Sequence, residues 1–280
     1  MNSRKNNKKV RYNRKTGNYY YLRVMSRDPL LVEPQNLDAA FNGFLEDAGL
    51  VMQGCLGKNN DYIHQLEGSS ISSVYTDPQG EIIEFVISGS LMSLLWFPLS
   101  AKVFPDTFSQ HTKVGIDFPE TSDLEKVISI FQDLLVHFKA FWGELNYRAI
   151  TEDLSFCSPN GHDMEFPDLG LLNYFGPEYT RVLGGSERLR SAGFDRVFEC
   201  GDGFIVSLQN SESSDDFNKK REAVKNNLGG DSIFAREDER WLHKALWGVE
   251  PKELIPFDQF FDAVSKLKEG EEIEFRVDGQ

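Results

Sequence analysis

Between Asp123 and Asn146 ten apolar residues recur in steps of three and four: Leu124, Val127, Ile128, Phe131, Leu134, Leu135, Phe138, Phe141, Trp142 and Leu145. That spacing holds one face of a helix with 3.6 residues per turn, so it predicts a helix from Asp123 to about Asn146. Ser122 and Glu125 are spaced as a capping box, in which the hydroxyl accepts from the third helical N–H and the carboxylate reaches back to the cap residue. An apolar stripe this wide must be buried, and a sheet offers the surface to bury it. A cofactor box of aromatics is the alternative, but every stripe residue obeys the periodicity of burial, which favours a core.

Sheet-forming segments surround that helix. Tyr19 to Met25, Ile82 to Ser88, Leu91 to Phe97 and Val114 to Phe118 read as strands, the middle two joined at Ser88-Gly89-Ser90. Thr76-Asp77-Pro78-Gln79-Gly80 has turn chemistry, and Gly54 to Asn60, rich in glycine and asparagine, reads as a loop. A helix from about Leu37 to Ala48 follows from Asn36 as cap, a periodic apolar face through Phe41, Phe44 and Leu45, and Gly49 as its stop. Beyond the long helix, Thr151 to Asp168 breaks the pattern with Ser158-Pro159-Asn160-Gly161 and Phe166-Pro167.

The remainder carries explicit punctuation. Gly176-Pro177 opens a short helix that Gly184-Gly185 closes; Ser186 caps another, which Gly193 stops. Phe194 to Cys200 and Phe204 to Gln209 flank Gly201-Asp202-Gly203, a hairpin signal. Phe217 to Leu228 reads as a mostly polar helix ended by Gly229-Gly230. Two further helices, Glu237 to Trp247 and Phe257 to Leu267, and a half-exposed strand, Glu271 to Val277, complete the chain. The expected class is α+β, with antiparallel or mixed sheets covered by helices in two closely packed halves. Residues 1–17 are expected to form a basic, flexible arm and 18–280 a single α+β globular region, with a possible internal boundary at about 151–168.

With 40% apolar and 12% aromatic residues in 280, the chain can bury a large core, which excludes global disorder. The formal charge of −14 hides an asymmetry. Arg4, Lys5, Lys8, Lys9, Arg11, Arg14 and Lys15 occupy the first fifteen residues without an acid among them, leaving 23 basic against 44 acidic side chains elsewhere, a net of −21. A body so acidic repels phosphate backbones and anionic lipid and speeds encounter with basic partners. Cys55, Cys157 and Cys200, an odd number at irregular spacing, suit a reducing compartment. The charged N-terminus lacks the apolar stretch of a signal peptide, and Ile82 to Leu99 is interrupted by Glu84, Gly89 and Pro98, so a cytoplasmic protein is expected.

Catalytic patterns are absent: no nucleophile elbow, zinc-protease helix, Walker loop or dinucleotide fingerprint occurs. His162, Asp163 and Glu165 put three potential ligands within four residues, but in a polar loop such a cluster is solvated by default and distant ligands would be needed to complete a site. Cys157 and Cys200 would each need a nearby imidazole and a positive setting to become thiolates, and otherwise pack as small apolar residues. Adjacent acids such as Glu152 with Asp153 and Asp215 with Asp216 are surface charge unless buried. The expectation is a non-enzyme without catalytic, cofactor-binding or metal-binding residues.

The segment Leu171-Leu172-Asn173-Tyr174-Phe175-Gly176-Pro177-Glu178-Tyr179, continuing through Val182-Leu183-Gly184-Gly185 to Arg188-Leu189 and the Phe204-Ile205-Val206 strand, resembles bacterial immunity proteins. They are the immunity group paired with type VI secretion effectors and other polymorphic toxins. The resemblance covers residues about 171–209 and implies an α+β protein that binds and neutralises a cognate toxin in the producing cell. Its glycines, Pro177 and its aromatics all have structural roles, so none is carried over as a toxin contact. With the acidic charge, it points to a basic toxin met by one of the acidic stretches Glu212 to Asp216, Glu237 to Glu239 or Glu269 to Glu274. The candidate partner-binding residues are Glu212, Asp215, Asp216, Glu237, Asp238 and Glu239. Two other classes stay open: an enzyme, and a nucleic-acid accessory protein using the basic arm.

Overall fold

The computed structural model describes residues 19–26, 34–56, 63–64, 83–87, 90–96, 112–119, 121–147, 166, 168–208 and 213–234, and in them ten strands join one antiparallel sheet. The strands are β1 (Tyr19–Ser26), β2 (Met52–Leu56), β3 (Ile63–His64), β4 (Ile83–Ile87), β5 (Ser90–Trp96), β6 (Thr112–Pro119), β7 (Ala140–Tyr147), β8 (Leu172–Phe175), β9 (Arg196–Cys200) and β10 (Gly203–Ser207). Their order is β3-β2-β4-β5-β6-β1-β7-β8-β10-β9. The helices are α1 (Pro34–Asp47), α2 (Leu124–His137), α3 (Pro177–Val182), α4 (Ser186–Ser191), α5 (Ser214–Leu228) and α6 (Asp231–Phe234). The class is α+β, as the sequence predicts. Leu145 of β7 pairs with Leu172 of β8, so one sheet joins the parts of the chain before and after residues 148–165.

The largest departure from the sequence reading lies in the apolar stripe. Helix α2 stops at His137, and Ala140 to Tyr147 is a strand, not the last turns of the helix. The Phe138 N–H still donates to the Leu134 carbonyl, but Lys139 adopts φ +45° and turns the chain straight into β7. Left-handed backbone at a residue other than glycine ends a helix sharply. The misleading periodicity has a physical cause. β7 is buried on both faces from Ala140 to Asn146, and a strand walled in twice shows a near-continuous apolar run that helical spacing also fits.

Smaller corrections concern caps and one loop. Asp123, not Ser122, caps α2, its carboxylate accepting from the Glu125 N–H at 3.1 Å. α1 begins at Pro34, before the expected cap Asn36, with proline suited to a first turn. Gly185, rather than Ser186, caps α4. Gly54 to Leu56, expected in a loop, belong to β2, where Cys55 pairs with Phe85 and His64. The 1–17 arm, the Thr76 to Gly80 turn and the elements expected at Glu237 to Trp247, Phe257 to Leu267 and Glu271 to Val277 lie outside the described residues. So does the 151–168 boundary, apart from Phe166 and Asp168.

Both faces of the central strands are covered. On one face Leu22 and Val24 of β1, Val114 and Ile116 of β6 and Leu145 of β7 are buried with Val127, Phe131, Leu134 and Leu135 of α2. Gly143 is what allows this approach, because a Cβ there would meet Leu135 Cδ2 at 2.8 Å and the Phe131 ring at 3.1 Å. α1 packs beside α2: Phe44 meets Phe138 edge-on at 6.2 Å, and Asp47 lies 2.7 Å from His137 Nε2. Near the C-terminal part of the sheet α5 is tied down by charge, with Arg221 reaching Asp168 at 3.0 Å and Lys220 paired with Asp195.

Two substitutions test the α2 contact. Phe131→Ala should cost about 3–5 kcal/mol, read as a lowered urea midpoint. Gly143→Ala should cost about 1–3 kcal/mol by overpacking, with the same readout, since the added Cβ would meet both Leu135 and the Phe131 ring inside normal contact distance. An unchanged midpoint in Gly143→Ala would refute the close approach of helix and strand.

Candidate functional site

The opposite face of the sheet carries a row of polar side chains through its middle. Arg23 of β1, Glu144 of β7 and Asn173 of β8 lie side by side in register. Glu144, Asn146 and Asn173 are fully buried, which demands partners for each. Arg23 Nη1 lies 3.4 Å from Glu144 Oε1, and Asn146 Nδ2 donates to Glu144 Oε2 at 2.9 Å. The amide oxygens of Asn146 and Asn173 accept from the N–H groups of Leu171 and Gly170, and Asn173 Nδ2 donates to the Gly170 carbonyl. A side chain at 170 would collide with Asn146, its Cβ falling 2.1 Å from Oδ1. The row fixes the lead into β8.

A recess of about 290 Å³ opens where the end of α2, the start of α3 and the β9–β10 turn meet. Leu135, Ala140, Phe141 and Pro177 supply apolar walls. Tyr174, Cys200 and Asp202 supply its polar atoms, with Lys139 and Glu178 also on the lining. The β9–β10 hairpin that the sequence predicts is responsible. Gly203 pairs with Cys200, leaving Gly201 at φ +59° and Asp202 as a two-residue turn, and the Tyr174 hydroxyl donates to Asp202 Oδ1 at 3.0 Å. Gly203 lies over β8, its missing Cβ only 2.3 Å from the Phe175 carbonyl oxygen and 2.7 Å from the Tyr174 hydroxyl.

The titrating groups of the recess disfavour negative charge. Burial pushes the Cys200 thiol up, and Asp133 and Asp202 push it further. Burial raises the Tyr174 phenol too, helped by Asp202 and more weakly by Glu178. A thiol so placed is a poor nucleophile. Among the described residues no group of three His, Cys, Asp or Glu side chains converges to hold a metal. The recess is apolar inside and acidic around its titrating groups.

The sequence candidates fare unevenly. Asp215 and Asp216 are exposed in the first turn of α5, where Ser213 Oγ accepts from the Asp216 N–H at 3.2 Å. Acids there complement the helix dipole, so α5 itself accounts for them. Glu212, Glu237, Asp238 and Glu239 lie outside the described residues, as do Cys157, His162, Asp163 and Glu165. The structure brings together Tyr174, Cys200 and Asp202 instead. The Asp-Gly turn signal marked their neighbourhood, but no local pattern pairs Tyr174 with a residue 28 positions away.

No family model and no curated protein matches the chain. A solved structure does. The fold is similar to that of a type VI secretion protein. Pseudomonas aeruginosa T6SS protein PA0821 superposes with a TM-score of 0.54 at 11% identity, over 89% of this chain and 85% of that one. At such identity the likeness is one of fold. In this chain Tyr179 and Phe175 are fully buried, and Phe166 packs edge-on against Tyr179 at 5.2 Å and against Phe234 at 5.0 Å. Among the described residues no helix is long and apolar enough to cross a membrane.

Burial also raises the phenol of Tyr179, whose hydroxyl is enclosed without a hydrogen-bond partner among the described residues. In Cys200, Tyr174 and Tyr179 the folded pKa exceeds the unfolded one, so the unfolded chain loses these protons first as pH rises. Stability should hold up to about pH 8.5, decline beyond it as cysteine ionises in the unfolded state, and fall faster above about pH 10. Tyr179→Phe should flatten the upper limb in a thermal-melt series and leave neutral stability unchanged or raised by about 1 kcal/mol, because an unpaired buried hydroxyl is removed. A variant limb as steep as that of the unsubstituted protein would take Tyr179 out of the account.

Proposed function

We propose that this chain is an immunity protein, which binds a cognate bacterial toxin in the cytoplasm of the producing cell and neutralises it. The observation that carries the reading is the fold similarity to a type VI secretion protein along most of both chains. The resemblance of Leu171 to Gln209 to immunity proteins narrows that association from secretion in general to protection from a toxin. The chain acts by binding and not by catalysis. Its chemistry suits this role: the recess offers recognition, and the one cysteine described there is held as a thiol.

Inhibition by binding requires fast capture more than it requires any single strong contact. A body with a net charge of −21 outside its first fifteen residues accelerates encounter with a basic toxin, and the acceleration weakens with salt. Asp215 and Asp216, exposed at the start of α5, belong to the surface such a toxin meets first.

Co-expression with the product of the adjacent gene tests the assignment. That product should be toxic alone and harmless with this chain present, and the two should co-purify. If it is harmless alone, or still kills in the presence of this chain, the reading is wrong. Asp215→Lys with Asp216→Lys should slow association by about tenfold at low salt and much less at high salt, with dissociation little altered.

A further inference from the structure

We infer that the recess between α2, α3 and the β9–β10 turn is a docking pocket for a lysine or arginine side chain of the partner protein. This rests on the reading of the chain as a protein-binding inhibitor and names the surface that would do the binding. The recess combines two features that a long cationic side chain needs together. Its interior is apolar, walled by Leu135, Ala140, Phe141 and the ring of Tyr174, which suits a methylene stem. Its carboxylates suit the charged head.

Asp202 is the first of these carboxylates. It is exposed at the tip of the hairpin and receives the Tyr174 hydroxyl on Oδ1, a bond that orients the carboxylate. Glu178, in the first turn of α3, is the second. Asp133 on α2 adds its field at Cys200, as the raised thiol pKa records. Lys139 is the one basic residue on the lining, so the local balance favours a cation. On the lining Val136 is 56% exposed, an apolar contact for the partner backbone around an inserted side chain. A recess of about 290 Å³ has room for one such side chain, as an anchor position at the centre of an interface requires. Phosphate, carboxylate and nucleic-acid ligands are disfavoured by the same charges.

The pocket can be tested without the partner. n-Butylguanidinium, titrated into the full-length protein, should shift the amide signals of Tyr174 and Gly201 to Gly203 saturably, whereas n-butanol and butyrate should not. Asp202→Asn and Glu178→Gln should each weaken the guanidinium response by about tenfold, with an unchanged melting temperature. No saturable shift, an equal response to butyrate, or full binding by Asp202→Asn would overturn the pocket. The second arm uses the adjacent gene's product: Asp202→Lys should weaken its binding by at least about tenfold. Unweakened binding with protection intact would overturn the docking role while the inhibitor reading stood. Guanidinium binding in a chain that gives no protection would support the cation pocket and remove the inhibitor reading.

Discussion

β7 is enclosed from both sides, and most of the molecule is arranged around that enclosure. On one face the strand offers no side chain at Gly143, which lets Phe131 and Leu135 of α2 settle onto the sheet. On the other it offers Glu144, a buried carboxylate held by Arg23 and Asn146. A one-residue slip would put Glu144 beneath the helix and the glycine among polar groups. The register of β7 against β1 and β8 is therefore specified twice, by a steric requirement above and an electrostatic one below.

The recess inherits its shape from the same arrangement. α2 must end where β7 begins, and Lys139 completes the reversal within a two-residue turn. The helix end is thereby held against the neighbouring strands, and the β9–β10 turn closes the other side. Tyr174 belongs to both systems: its backbone pairs with Gly143, and its hydroxyl fixes Asp202. Core packing and the orientation of a surface carboxylate are joined in one residue.

Much of this was legible in the sequence where the signal is local. β1, the β4–β5 pair, β6, the glycine-punctuated α3 and α4, the β9–β10 hairpin and the end of α1 at Gly49 follow from turn chemistry and short-range patterning. The stripe from Leu124 to Leu145 was legible as buried but not as two elements, because Phe138, Phe141, Trp142 and Leu145 satisfy both periods. Gly143, at the centre of the run, was the one residue that argued against a helix interior. Asn146 and Glu144 look like ordinary surface residues in sequence; only the partner strands β1 and β8 reveal their burial. The recess was illegible for the same reason, since it draws on α2, β8, α3 and the hairpin, which come together only in the folded sheet.

A sheet of this length has ends, and how they are finished decides whether the molecule pairs with its own copies. Among the described residues the order terminates in β3 on one side and β9 on the other. β3 is only two residues long, too short to template another strand. β9 is longer, but Arg196 and Glu199 are exposed on it, and Glu199 is engaged by Arg190 at 3.4 Å. Charges along a terminal strand discourage edge-to-edge addition. Among the described residues, these two ends therefore disfavour strand exchange between copies.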